Sequence, residues 1–207
     1  MRAANELPDF TQYRDVNQKK KAFFDFLRPI ILEQNARIRK ERTRIKTIFT
    51  EYRNTGRISE KDSRWVLAVA TDMCMKSFSI ANKKDRKTLL RKKDIIPVSM
   101  FLAQAANESS WGTSRFAKEA NNLFGQWCYT PGCGIVPAQR EENEANEVRK
   151  FATINDTVRS YVRNINSYYA YKDLRVIREE IRSAGEIPSA NQWPEVWWAI
   201  QSAAKNM

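Results

Sequence analysis

PVSMFLAQAANESSWGTSRFAKEANNLFGQWCYTPGCGIVP, residues 97–137, is the stretch on which the reading of this chain turns. It opens as an apolar run. Pro97 suits a first helical position, and Met100, Phe101, Ala103, Ala105 and Ala106 favour a helix with one buried face. Gly112 ends that helix, so Glu108 falls in its last turn. There the negative end of the helix dipole disfavours a carboxylate, and desolvation by Trp111 works in the same direction. Both favour the protonated form that a general acid needs near neutral pH. The plain alternative for Glu108 is a surface residue paired to Arg115. Gly112, Gly125, Gly132 and Gly134, four of the six glycines, also lie in this stretch, and function is sought there.

Downstream, residues 113–120 read as a short helix and Asn121-Asn122-Leu123-Phe124-Gly125 as a tight return. Cys128 and Cys133 flank a turn with Pro131 and Gly132 that can bring two Cα atoms within disulfide range; the alternative is a pair of reduced thiols. Residues 134–140 and 147–154 are the best strand candidates, joined by the polar stretch 141–146 into a hairpin. A helix over 156–166, capped by Asn155 or Asp156, carries Val158, Tyr161, Val162 and Ile165 on one face. Tyr168, Tyr169 and Tyr171 follow, then helix over 172–184 to Gly185, and Trp193, Trp197 and Trp198 close the chain in a helix docked on the core.

Upstream, an irregular arm over 1–16 precedes a long amphipathic helix. Its apolar stripe runs through Phe23, Phe24, Phe26 and Leu27, is kinked at Pro29, continues through Ile30, Ile31, Ile38, Ile45, Ile48, Phe49 and Tyr52, and stops at Gly56. Ser59 with Asp62 reads as an N-cap for a helix through Trp65, Val66, Val69 and Met73. Cys74, in the apolar run 66–75, reads as a small buried hydrophobe. Residues 79–94 are heavily basic around Leu89 and Leu90, a short helix between linkers. The expected division is therefore a basic helical extension over 1–94 and a catalytic core over 95–207, packed as one unit.

Charge follows that division. Residues 1–94 carry 24 Lys and Arg against 12 Asp and Glu, whereas 95–207 carry 12 against 12. A basic half suits an anionic polymer or a membrane face, with Lys83, Lys84, Arg86 and Lys87 at its centre; a solvated helix face is the alternative. No basic motif interleaved with aromatics supports nucleic-acid binding. The chain has no histidine, which excludes a Ser-His-Asp triad, a Cys-His pair and any His-bearing zinc site. Three cysteines without Cys-x-x-Cys argue against a thiolate zinc site, so neither metal nor cofactor is expected. No apolar run approaches the roughly 20 residues of a membrane span. The first residues, MRAANELPDF, lack a leader's apolar core.

The segment Ala103-Gln104-Ala105-Ala106-Asn107-Glu108-Ser109-Ser110-Trp111-Gly112-Thr113-Ser114, followed by Asn121-Asn122-Leu123-Phe124-Gly125, resembles the signature of bacterial cell-wall β-N-acetylglucosaminidases of the flagellar-muramidase and autolysin type. Gly125-Gln126-Trp127-Cys128, Gly132-Cys133-Gly134, Asn164-Ile165-Asn166 and Tyr171 bring the chain nearer to the Bax-like branch of that family. The resemblance extends over nearly the whole chain, including Lys20-Lys21-Ala22-Phe23-Phe24-Asp25-Phe26-Leu27-Arg28-Pro29.

This resemblance implies a mainly α (α+β), lysozyme-like fold with a small β-hairpin, Glu108 as general acid and Tyr171 lining the catalytic cleft. The implied reaction is cleavage of β-1,4 glycosidic bonds at N-acetylglucosamine in peptidoglycan glycan strands, by a monomer exported to the periplasm or cell envelope. Trp111, Phe124, Trp127 and Tyr129 are candidates for a wall on which sugar rings stack, with Asn122 and Gln126 as polar contacts; Phe124, inside Leu-Phe-Gly, also reads as core. The family's second acid sits on the first hairpin strand, but residues 135–140 contain none. Glu141, Glu142, Glu144 and Glu147 are the remaining hairpin acids, and the substrate's own acetamido group is the alternative nucleophile. A lytic transglycosylase or muramidase on the same fold, or a sugar-binding module without turnover, stays open beside the hydrolase.

Overall fold

The computed structural model describes residues 6–138 and 146–186. In chain order these form α1 (Val16–Thr55), α2 (Glu60–Asp72), α3 (Lys83–Lys92), α4 (Val98–Glu108), α5 (Arg115–Ala120), β1 (Trp127–Cys128), β2 (Gly134–Ile135), β3 (Glu147–Arg149), α6 (Ile154–Ser167) and α7 (Lys172–Ser183), with single 3-10 turns at Phe10–Gln12 and Tyr169–Tyr171. The protein is mainly α with a small antiparallel sheet in the order β1-β3-β2. No described helix is long and apolar enough to cross a membrane. The chain packs as two compact units, one from the described parts of 1–33 and 98–161, the other from those of 34–97 and 162–206.

α1 is one helix of 40 residues with Pro29 inside it, and Gly56 just beyond its end has φ +70. Its stripe holds at helical spacing: Phe23, Leu27, Ile31, Ile38, Ile45, Ile48 and Phe49 are buried. The polar member of that stripe is Asn35, 1% exposed, which donates to Ile96 O at 2.7 Å and accepts from Ile96 N at 3.1 Å. Both arms of a buried amide are thereby satisfied.

In the second unit, Ile45, Ile48, Phe49, Val66, Ala70, Met73 and Leu89 form one apolar cluster. Ser59 caps α2 as expected, accepting from Asp62 N at 3.1 Å. Cys74 corrects the sequence reading. α2 ends at Asp72 and Met73 takes the inward place at 2% exposure, so Cys74 (φ +55) is carried out to the exposed surface. Beyond α3, Asp94 is buried within a ring of guanidiniums: Arg182 donates to both of its carboxylate oxygens, and Arg42 and Arg178 stand at 3.7 and 3.9 Å. Burial pushes the Asp94 carboxyl up, but the hydrogen bond from Arg182 and the charges of Arg178, Arg42 and Arg182 outweigh it and hold it below its usual value. Burial pushes Arg178 down to about 9 against the pull of Asp94, so it stays cationic at neutral pH.

In the first unit the sheet is shorter than the expected hairpin and has one strand more. β2 and β3 pair as Gly134↔Arg149 and Ile135↔Val148, and β1 pairs on the other edge of β3 as Trp127↔Val148 and Cys128↔Glu147. Residues 139–145, with Glu141, Glu142 and Glu144, and the tryptophan-rich segment 187–207 lie outside the described residues. α6 starts two residues earlier than expected: Thr153 is the cap, accepting from Asp156 N at 3.1 Å and donating to Asp156 Oδ2 at 2.7 Å.

Candidate active site

α4 is apolar on its buried side, with Met100, Phe101, Leu102, Ala105 and Ala106 in the core, and Glu108 is its last residue. The chain then turns through three consecutive left-handed residues, Ser110 (φ +50), Trp111 (φ +60) and Gly112 (φ +76). Two of them carry side chains, and a left-handed conformation costs such a residue about 1–2 kcal/mol. What holds the turn is Ser109, fully buried, whose hydroxyl donates to Ala105 O at 2.6 Å and accepts from Gly112 N at 2.8 Å. Trp111 N closes back on Ala106 O at 2.9 Å. Gly112 has no room for a side chain, because a Cβ there would stand 2.7 Å from Phe10 Cδ2 and 3.1 Å from Phe23 Cε2. The Trp111 ring packs on Phe23 and Phe24 at centroid distances of 5.9 and 5.1 Å, with Lys20 Nζ 5.1 Å from its ring.

Glu108 itself is exposed, so burial around its carboxylate, expected from Trp111, is not found. It has no ion-pair partner among the described residues, and Arg115, the alternative partner, is paired one turn along α5 with Glu119 at 3.2 Å. The free carboxylate looks onto Gly125: a Cβ there would lie 4.0 Å from Glu108 Oε2, and the backbone is left-handed at φ +60. A side chain at 125 would be strained and would crowd the acid.

The loop that brings Gly125 there is built by two asparagines. Asn121 ends α5 in a left-handed conformation (φ +52) and donates to Phe151 O at 3.1 Å. Asn122, 1% exposed, donates to Gln126 O at 2.8 Å and Arg149 O at 2.9 Å and accepts from Gln126 N at 3.0 Å and Phe124 N at 3.3 Å. Its amide is thus committed to the loop backbone. Phe124 is core, stacked on Tyr161 at 3.9 Å and tilted against Phe101 at 5.1 Å. Gln126 is different: both polar atoms of its side chain are buried without a hydrogen-bond partner.

Beyond Gln126 the sheet carries a cross-linked loop. Cys128 and Cys133 form a disulfide with Cα atoms 6.2 Å apart. Glu147, 6% exposed, lies across that loop and accepts from Gly132 N at 2.9 Å and Gly134 N at 2.8 Å, one amide on each oxygen. Gly134 meets β3 so closely that a Cβ would stand 2.0 Å from Val148 O. Cys128, Cys133 and Glu147 place potential metal ligands within 4.8 Å of one another, but both sulfurs are spent in the disulfide, which leaves no thiolate for a metal. Of the expected wall, Tyr129 is 64% exposed and Trp127 half-buried. Tyr171 belongs to the second unit, 4% exposed, its ring 6.4 Å from that of Tyr168. Ser109 and Asn121 stand in the sequence signature without an individual role, and the local signals of those roles are the Ser-x-x-Gly spacing and the helix-ending asparagine.

The glucosaminidase family model, described as mannosyl-glycoprotein endo-beta-N-acetylglucosaminidase, matches residues 83–199, more than half of the chain. Protein bax of Escherichia coli (strain K12) is 33% identical over 183 residues, which are 88% of this chain and 64% of that protein. No solved structure matches the chain. The family match takes in α4, the Asn-Asn-Leu-Phe-Gly loop and the disulfide loop together, and the chain therefore belongs to the glucosaminidase family, as a Bax-like member.

Proposed function

We propose that this protein is an envelope peptidoglycan hydrolase that cleaves the β-1,4 bond at N-acetylglucosamine, with Glu108 as the general acid. The observation that carries this reading is the state of Glu108: an exposed carboxylate at the negative end of α4, without an ion pair among the described residues, facing the bare backbone of Gly125. That is an acid set beside space for a glycan rather than one engaged in the fold. Gln126, next in the chain and with unmet hydrogen-bonding capacity, offers a donor and an acceptor to an acetamido group. Tyr129 and the half-buried Trp127 offer apolar faces to sugar rings.

Glu108 protonates the leaving oxygen. The second half of the reaction falls to the substrate's acetamido group, because Glu147 has each oxygen bound by a backbone amide. The same commitment of Glu147 favours one second reading, a lytic transglycosylase, which needs a single acid. The basic half of the chain holds the protein to an anionic wall or membrane face in the periplasm or envelope.

The test is Glu108→Gln on purified peptidoglycan, with products identified by mass spectrometry. Loss of a general acid costs about 10²–10⁴-fold in turnover, with glycan binding retained. New reducing-end N-acetylglucosamine identifies the glucosaminidase, reducing-end muramic acid a muramidase, and anhydro-muramic ends the transglycosylase. Near wild-type turnover by the variant refutes Glu108 as the acid. Absence of turnover by the wild-type protein leaves a binding module.

A further inference from the structure

The second unit contains a pocket of about 400 Å³, at the lower end of the roughly 300–1,000 Å³ of small-ligand sites. Three elements converge on it, and each brings cations: Arg42 and Lys46 from α1, Lys87 and Arg91 from α3, and Arg182 from α7. Two carboxylates share the lining, Asp94 and Glu179. The pocket therefore carries five positive and two negative side chains, and both negative ones are already occupied. Arg182 holds both oxygens of Asp94, with Arg42 at 3.7 Å, and Glu179 is held by Arg91 at 2.6 Å with Lys87 more loosely at 3.8 Å.

Cationic capacity is left over. Lys46 makes no ion pair among the described residues, and Lys87 is exposed and only loosely engaged. Arg42 keeps a buried Nε–H without a hydrogen-bond partner, although its other end is anchored on the carbonyls of Leu90 and Lys93. Like charges held together on rigid helices in a concave site repel one another unless an anion enters, and low-dielectric walls focus that field. Forked guanidiniums beside point-charge ammoniums suit phosphoryl oxygens. Leu90 is the apolar member of the lining, and no aromatic ring is there to stack a base or a sugar.

We infer that this pocket is a binding site for a phosphate-class oxyanion of two or more negative charges, either a soluble phosphate or the phosphate of a lipid headgroup. The inference is independent of the glycosidase reading, since the pocket lies wholly in the second unit and Glu108 in the first.

Inorganic pyrophosphate titrated calorimetrically into the full chain tests the pocket directly. Wild type is expected to bind at one site. Lys46→Glu/Lys87→Glu changes two exposed side chains on settled helices, so the fold is kept, which a thermal melt verifies. It should weaken binding by at least about tenfold, the equivalent of about 1.4 kcal/mol. Lys150→Glu/Lys172→Glu makes the same change of net charge on exposed positions outside the pocket and outside the basic half and should cost no more than about threefold.

Flotation with phosphatidylcholine vesicles, with and without phosphatidylglycerol, distinguishes the sources. Flotation that needs phosphatidylglycerol, is lost in Lys46→Glu/Lys87→Glu and is competed by pyrophosphate assigns the pocket to a headgroup. Pyrophosphate binding without flotation assigns it to a soluble anion. Equal losses in the two double variants, or no binding of pyrophosphate together with flotation unaffected by Lys46→Glu/Lys87→Glu, overturn the inference.

Discussion

Glu147→Gln separates a carboxylate that does chemistry from one that holds the loop. In the structure each oxygen of Glu147 accepts one part-buried backbone amide, Gly132 N at 2.9 Å and Gly134 N at 2.8 Å. Glutamine keeps the shape and one acceptor, but it sets an NH2 group against the other amide. One charge-assisted bond, worth about 1.5–3 kcal/mol, is lost outright, and the donor it leaves is unsatisfied. The Cys128–Cys133 disulfide keeps the loop closed and limits the damage to local rearrangement. We expect a net loss of about 2–3 kcal/mol, and at about 2–4 °C per kcal/mol for a chain of this size Tm falls by about 4–12 °C.

Turnover measured well below that Tm should change by less than about tenfold, because removal of a general base costs about 10²–10⁴-fold. The assay is a pair of measurements on one preparation, a thermal melt and the initial rate on peptidoglycan. A variant that melts with wild type yet loses more than about a hundredfold in rate would refute the reasoning, and Glu147 would then belong to the chemistry.

Gly112→Ala must place a methyl 2.7 Å from Phe10 Cδ2 at a φ of +76. Left-handed strain of about 1–2 kcal/mol and overpacking of about 1–3 kcal/mol should appear as a lower urea midpoint, and an unchanged midpoint would mean that the turn can shift. Asp94 is held below its ordinary value, so its contribution is fully present above the unfolded value of about 3.9 and is lost as pH falls through its lower folded value. Urea denaturation of wild type should therefore lose stability below about pH 4, whereas Asp94→Asn should start less stable at neutral pH and run flatter in that range; parallel curves would refute the assignment. In the non-reduced native protein a thiol reagent should titrate Cys74 alone, since Cys128 and Cys133 are paired. Reduction should cost about 2 kcal/mol for so short a loop, and three reactive thiols without reductant would reject the bridge.

Where the fold is written in local chemistry, the sequence was enough. Gly56 and Gly185 stop their helices, Ser59 caps α2, and the 3.6-residue spacing from Phe23 to Ile48 marks the buried side of α1, because each of these signals acts within a few residues. The strand Trp127–Cys128 escaped, since two residues carry no alternation and their partner on β3 is about twenty residues away. Cys74 escaped because an apolar run does not say where a helix ends. Glu147 reads in sequence as one of the hairpin acids that can supply a second carboxylate: residue type shows that a carboxylate is present, but what its oxygens bind depends on where the amides of Gly132 and Gly134 come to rest.

Glu108 shows the same limit from the other side. Its place in the last turn of α4 was readable from Pro97 and Gly112, but its freedom was not, because that depends on Arg115 having Glu119 one helical turn away. The strained turn after the acid completes the account. Two side-chain-bearing residues in the left-handed region are an expense that a helix end does not require, since one glycine suffices to stop a helix. Here the turn is held by Ser109 below and by the packing of Trp111 on Phe23 and Phe24, so one of the rings that read as a sugar platform in sequence is engaged in the fold. Trp111 fixes the chain behind the acid, and Trp127 and Tyr129 keep exposed surface on the loop beyond Gly125. A glutamate whose backbone is fixed by strain and packing, and whose carboxylate nonetheless has no ion-pair partner among the described residues, keeps its position without committing its oxygens to an ion pair in the fold.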